Sequence, residues 1–280
     1  MMEYFNKALK ITNENFIIVL PLLAFYIILS LYMGYSMTMA DTALESLIAL
    51  VTVIFMGAVF CAGWFYMIKK AVDLSEKIFV MDDEAVKAHL GLIKKFPEGI
   101  GKYFLSFVIL PFIAIVLVIL VCVPLFYFGA KYIGTIDFTQ EQISYLTSST
   151  TQGLINFVET MPQSQVILIA KWNLLLMAVT FVFSYLLLFW VPEIIYTKRN
   201  PVTALFTAIA KLFKKPLKSF GLYVGLATIN LIVSFIMTFT ILVPILYYVM
   251  SLVSLYVFVY MLVLIFTYYD GEFGQTEEED

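Results

Sequence analysis

Charge is scarce in this sequence. Only 13% of its 280 residues are Asp, Glu, Lys or Arg, while 62% are hydrophobic. A soluble domain carries about a quarter charged residues, so the chain as a whole is not a water-soluble module. Histidine occurs once, as His89, and cysteine only as Cys61 and Cys122. A lone histidine without clustered carboxylates builds no metal centre. Two cysteines inside apolar runs read as small core residues, not as a disulfide framework or zinc site. No metal, cofactor or catalytic residue is therefore assigned, and a non-enzymatic protein is expected. Arginine is nearly missing as well, with Arg199 the only one. That lysine bias suits a prokaryotic source with an AT-rich genome.

Apolar sequence is abundant. Six runs, near 16–35, 47–68, 103–128, 172–191, 220–242 and 245–268, are each long enough to span a membrane. A bilayer core of about 30 Å needs ~20 helical residues at about 1.5 Å each. Backbone groups in lipid must pair within the segment, and these runs do not alternate as barrel strands do. The expected fold is an all-α integral membrane protein with six transmembrane helices. The first run is read as a span rather than a cleaved signal, although Thr38-Met39-Ala40 faintly resembles a cleavage site.

The basic residues are placed on one side. Lys7 and Lys10 precede the first run. Lys69, Lys70, Lys77, Lys87, Lys94, Lys95 and Lys102 follow the second, and Lys198, Arg199, Lys211, Lys214, Lys215 and Lys218 follow the fourth. Only Lys131 and Lys171 lie opposite. The positive-inside rule then makes that side cytoplasmic, with both termini inside, and with the lysine bias a prokaryotic plasma-membrane protein is expected.

Much of this charge sits on segments with helical periodicity. Asn200 is a good N-cap and Pro201 suits the first helical position. Val202, Leu205, Phe206, Ile209, Leu212 and Phe213 then form an apolar stripe, with the lysines elsewhere and Pro216 as a stop. Asp83, Val86, His89, Leu90, Ile93, Phe96 and Pro97 repeat the design, and Phe5, Ala8, Leu9 and Thr12 do so more weakly. These helices are expected in the cytoplasmic headgroup layer. Lys94, Lys95, Lys211, Lys214, Lys215 and Lys218 are candidate contacts to anionic lipid, each worth about 1 kcal/mol at such a surface. Membrane lipids, and a second membrane protein, are the expected partners. Nucleic acid is not, because the charges flank membrane spans.

An ungapped shift of 120 residues superposes Lys94-Lys95 on Lys214-Lys215, Gly101 and Tyr103 on Gly221 and Tyr223, and Val123-Pro124 on Val243-Pro244. The expected unit is a basic amphipathic helix followed by an outgoing and a returning span. Three copies would cover about 1–70, 82–197 and 200–270 of one polytopic domain, followed by an acidic, disordered tail at 271–280. The long outer loop from Lys131 to Gln165 carries a capping box at Thr139 and Gln142. Its Ile143, Leu146, Leu154, Ile155, Phe157 and Val158 are expected along the outer membrane surface.

Two intramembrane polar residues stand out. Glu193 follows Trp190-Val191-Pro192 near the inner end of the fourth run and is expected to reach headgroup water. Asn230 lies near the middle of the fifth, with Thr228, Ser234, Thr238 and Thr240 available to join helices by hydrogen bonds. His89 is expected to be a partly buried interfacial residue. Trp64, Trp172, Trp190, Tyr103, Tyr127, Tyr223, Tyr247 and Tyr268 lie near run ends and read as an aromatic belt.

The stretch Trp190–Phe220, WVPEIIYTKRNPVTALFTAIAKLFKKPLKSF, resembles the membrane domain attached to some glycerophosphoryl diester phosphodiesterases. Pro192, Pro201, Ala204 and Leu205 fall where that family places them, and Tyr269-Asp270 resembles its aromatic-Asp ending. Ala208-Ile209 departs from the family's Ser-Trp, and nothing corresponds to its catalytic domain. The resemblance implies a fold and a link to membrane lipid or envelope processes, not an activity. The expected function is that of a scaffold or accessory component. The alternative is a transporter or channel for a small or lipid-like substrate.

Overall fold

The computed structural model describes residues 1–39, 42–75, 82–148, 150–240 and 243–274. Lys77, residues 241–242 at the end of the fifth run, the side chains of Asp83, Val86 and Leu154, and residues 275–280 of the tail lie outside that description. Twelve α-helices follow one another, with no strand among the described residues. They are α1 (Met2–Glu14), α2 (Val19–Met39), α3 (Ala43–Ser75), α4 (Asp82–Gly91), α5 (Lys95–Tyr132), α6 (Gln140–Thr147), α7 (Thr151–Glu159), α8 (Gln163–Leu186), α9 (Trp190–Thr197), α10 (Pro201–Lys214), α11 (Pro216–Thr240) and α12 (Pro244–Phe273). Short 3₁₀ turns at Phe16–Ile18 and Leu92–Lys94 join α1 to α2 and α4 to α5. Six helical stretches are long and apolar enough to cross a membrane. The protein is an all-α, multi-pass membrane protein.

Local sequence explains where the helices start and stop. Asn200 caps α10 by accepting from the Thr203 amide at 2.9 Å, with Pro201 in the first helical position. Thr139 and Gln142 form the anticipated capping box. The chain leaves α10 at Lys215 and starts α11 at Pro216. Pro97 does not close a helix. It sits in the first turn of α5, where amide groups have no intrahelical acceptor and proline removes nothing. The break falls just ahead, at Leu92–Lys94. At the other end of the chain, α12 runs through Phe273, so Gly271, Glu272 and Phe273 are helical rather than part of a disordered tail.

The helices form two compact units. One comprises 1–113 and 185–280, the other 114–184. In the smaller unit α6 and α7 form a hairpin. Gln142, almost fully buried, donates to the Thr160 carbonyl at 3.2 Å and to Gln165 Oε1 at 3.1 Å. Trp172 donates to the Gly134 carbonyl at 2.9 Å.

Burial in the larger unit concentrates where the basic residues gather. Ala58–Val72 of α3, Phe189–Ile195 and Val259–Phe273 of α12 supply most of its fully buried side chains. Farther from that end, Leu31, Tyr35, Leu44, Leu231, Phe235, Ile245 and Tyr248 are exposed, as suits surfaces that face hydrocarbon. Two glycines permit close approach of α3 and α5. A Cβ on Gly99 would lie 2.6 Å from the Ala62 carbonyl oxygen, and one on Gly63 would lie 2.8 Å from that of Phe96.

Several aromatic residues expected in a headgroup belt are core residues instead. Trp64, Trp190, Tyr103 and Tyr268 are all buried. Trp64 donates to the Ile18 carbonyl at 2.9 Å, Trp190 to that of Pro201 at 2.7 Å, and Tyr103 to that of Ile195 at 2.8 Å. Ile195 lies in the last turn of α9, whose carbonyls lack intrahelical donors. The phenol therefore closes a helix end that water would otherwise satisfy.

Candidate functional site

The basic end of the larger unit holds three polar clusters. Glu193 lies in the first turn of α9 and its side chain is 0% exposed. Lys211 reaches it from α10, with Nζ 2.9 Å from Oε2 and a side chain only 10% exposed. Lys211 also donates to the Tyr269 hydroxyl of α12 at 2.6 Å, and that hydroxyl donates to Glu193 Oε2. The other oxygen, Oε1, makes no hydrogen bond among the described residues; the Arg199 guanidinium lies 3.7 Å away. Three helices are thus clamped by one buried carboxylate, one ammonium and one phenol.

This overturns two expectations. Glu193 does not reach headgroup water, because α10 and α12 close over it. Lys211 is not a lipid contact. Ala204, Ala208 and Lys211 share the buried face of α10, and the two small residues let α10 approach closely enough for the lysine to turn inward. Val202, Phe206 and Phe213, from the expected stripe, are exposed, as a face toward lipid would be.

The second cluster is built on Glu272. Its carboxylate, 6% exposed, pairs with Lys215 at 2.5 Å and Lys218 at 3.0 Å, and accepts from the Tyr4 hydroxyl at 3.1 Å. Burial, then the neighbouring carboxylate, pushes the Tyr4 phenol up to about 12. Tyr4 also packs its ring against Tyr268, 5.2 Å between centroids. The helix α1 therefore lies against α12, burying Ala8, Ile11 and Thr12, rather than standing apart on a lipid surface.

Glu98 forms a third, more exposed cluster. It pairs with Lys95 at 2.8 Å and Lys102 at 2.6 Å and accepts from Tyr66 at 2.8 Å. Of the six lysines proposed as lipid contacts, Lys211 is buried, and Lys95, Lys215 and Lys218 already face carboxylates. Lys94 and Lys214 are exposed and carry no ion pair among the described residues. His89 is half-buried, with Nδ1 against Asn15 Oδ1. Glu193 and His89 are held by different partners.

Asn230 has a different setting from Glu193. It lines a cavity of ≈ 540 Å³ between α2, α11 and α12, with Tyr26, Ser234 and Ser254 among the walls. Its amide makes no hydrogen bond to another helix among the described residues. Thr228, Thr238 and Thr240 donate to carbonyls of their own helix, so they do not join spans as anticipated. A second groove, of ≈ 760 Å³, lies between α2, α3 and the start of α5 and is apolar apart from Thr52. Among the described residues no group of three His, Cys, Asp or Glu is placed to hold a metal ion.

The clamp could not be read from spacing because its members come from three helices. One signal was present: a carboxylate inside an apolar run needs a partner. Lys211, on the same helical face as Ala204 and Ala208, is that partner. Comparison with models of protein families, with curated proteins and with solved structures gives no match.

Proposed function

We propose that the protein is a non-enzymatic scaffold or accessory component of a prokaryotic plasma membrane, with its basic end in the cytoplasmic leaflet and both termini inside. One observation carries this reading. The larger unit is locked by buried polar clamps at its basic end, while grooves and apolar faces remain open along the rest of its spans. A rigid base with open lateral surfaces is suited to holding lipid or another membrane protein. Three breaks between an amphipathic helix and a span, at Asn15, at Lys94-Lys95 and at Lys214-Lys215, support descent from one repeated unit in a single membrane domain. The resemblance to the phosphodiesterase-associated membrane domain supports a link to membrane lipid or envelope processes.

The test is affinity purification in mild detergent. A defined membrane protein should copurify and be lost on deleting 131–165 or on replacing the exposed Lys94 and Lys214 with Glu. Purification as a partnerless species, in every detergent that preserves the fold, sinks the reading. A second reading is transport of a small or lipid-like substrate, supported by the cavity at Asn230. It requires flux in liposomes that Asn230→Leu abolishes.

A further inference from the structure

We infer that the groove between α2, α3 and the start of α5 is a binding site for one anionic phospholipid, with an acyl chain in the groove and the phosphate at Lys94. This deepens the lipid-contact part of the function proposed above. The groove walls are Leu20, Pro21, Ala24, Phe25 and Ile28 of α2 together with Phe55, Met56, Val59 and Phe60 of α3. Its one polar wall residue, Thr52, already donates to the Ile48 carbonyl at 2.8 Å. The interior therefore offers no hydrogen bond and suits hydrocarbon. Its volume of ≈ 760 Å³ falls within the range of about 300–1,000 Å³ usual for pockets that hold a discrete ligand.

The charge lies at one end. Ile93, Phe96 and Pro97 form the wall at the basic end, held there by the close contact of Phe96 with Gly63. Lys94 directly follows Ile93 in the chain, at the end of the 3₁₀ turn and three residues ahead of Pro97. It is exposed, whereas neighbouring Lys95 and Lys102 share the carboxylate of Glu98. Three lysines against one carboxylate leave net positive charge beside an apolar slot. An amphiphile with an anionic head and a hydrocarbon tail matches both features. A transmembrane helix of another protein would match only the slot.

The test uses full-length protein in nanodiscs of phosphatidylcholine doped with a photoactivatable lipid. The probe carries a mid-chain diazirine on either phosphatidylglycerol or phosphatidylcholine, and crosslinks are mapped by peptide mass. Crosslinks should concentrate on 20–28 and 52–60, with about fivefold preference for phosphatidylglycerol. Lys94→Ala should remove that preference and Lys214→Ala should keep it. Both lysines are exposed, so neither variant threatens folding. Crosslinks spread evenly over all lipid-facing helices would overturn the inference, leaving annular lipid only. Equal labelling by both lipids, or equal loss in both variants, would also overturn it. So would labelling that spares the groove, which would indicate a protein occupant. Partner copurification is scored separately, so failure here leaves the scaffold reading standing.

Discussion

Replacing Lys211 with methionine should destabilise the basic end of the bundle severely. Methionine matches the lysine stem in length and keeps the packing of α10 against α9 and α12, so the change isolates the charge. In the native structure the ammonium lies 2.9 Å from a carboxylate that is 0% exposed. Removing it leaves Glu193 buried with a phenol donor and a distant guanidinium. Breaking a buried pair by deleting one partner costs about 3–5 kcal/mol. Arg199 cannot compensate. It sits 3.7 Å from the other oxygen, beyond hydrogen-bond reach, with 46% of its side chain exposed.

A cycle separates charge from packing. Glu193→Gln alone should cost less, about 1–3 kcal/mol, because an amide can still accept from Tyr269 and a lysine stem can swing its head toward water. The double variant should recover to within about 1 kcal/mol of the native protein, since replacing both members of a buried pair is close to neutral. At about 2–4 °C per kcal/mol, Lys211→Met should lower the unfolding midpoint by roughly 6–20 °C. The assay is thermal unfolding in detergent, followed by tryptophan fluorescence, with Trp190 two helical turns or less from the clamp. The reasoning fails if Lys211→Met shifts the midpoint by less than about 2 °C, or if the double variant is as unstable as the single.

Four further outcomes follow from other parts of the structure. Gly99→Leu should cost about 1–3 kcal/mol or more by forcing α3 and α5 apart, read as a lower unfolding midpoint, because even a Cβ there meets the Ala62 carbonyl at 2.6 Å. Trp190→Phe should cost about 1–3 kcal/mol in the same assay by leaving the Pro201 carbonyl buried without its indole donor. Thr139→Ala should cost about 0.5–2 kcal/mol and act locally, with faster amide exchange across α6 and none in α12. The Tyr4 phenol titrates near 12 rather than at its ordinary value of about 10, so the neutral form is the one the folded state favours. Its contribution should therefore be complete below pH about 10 and fade as pH rises through about 12, seen as a late phenolate absorbance step that Tyr4→Phe removes.

Much of the architecture was legible because single helices carry their own signals. Six apolar runs, the Asn200-Pro201 start of α10, the Thr139–Gln142 capping box and the stop at Lys215-Pro216 are each local, and each appears in the structure. What failed did so where tertiary packing decides. Pro97 reads as a stop, but the preceding 3₁₀ turn had already reset the helix and left proline in a harmless first turn. Glu272 reads as part of a loose acidic tail, but Lys215, Lys218 and Tyr4 converge on it within α12. Trp64 and Trp190 sit at span ends, where a belt is the usual reading, yet each indole is turned inward to a backbone carbonyl.

The misreadings of Glu193, Lys211, Trp64 and Trp190 have one cause. Charge and aromatic residues near a span end were assigned to the lipid headgroups, because a sequence shows depth along a span but not direction around it. At the basic end of this protein several of them point inward, and that choice has a consequence for the rest of the spans. A clamp made from Glu193, Lys211 and Tyr269 fixes α9, α10 and α12 in one register through directional contacts, as apolar packing in a lipid solvent does less well. Glu272 ties α1 and the start of α11 to the same end of α12. With the helices held there, the cavity beside Asn230 and the groove beside Ala24 can stay open without loss of the fold. Of the six candidate lysines, the two with no ion pair among the described residues, Lys94 and Lys214, lie 120 residues apart, and Lys94 directly follows a groove wall residue, Ile93. Any lipid specificity of this protein should therefore follow Lys94 and be indifferent to Lys214, although a shift of 120 residues superposes the two.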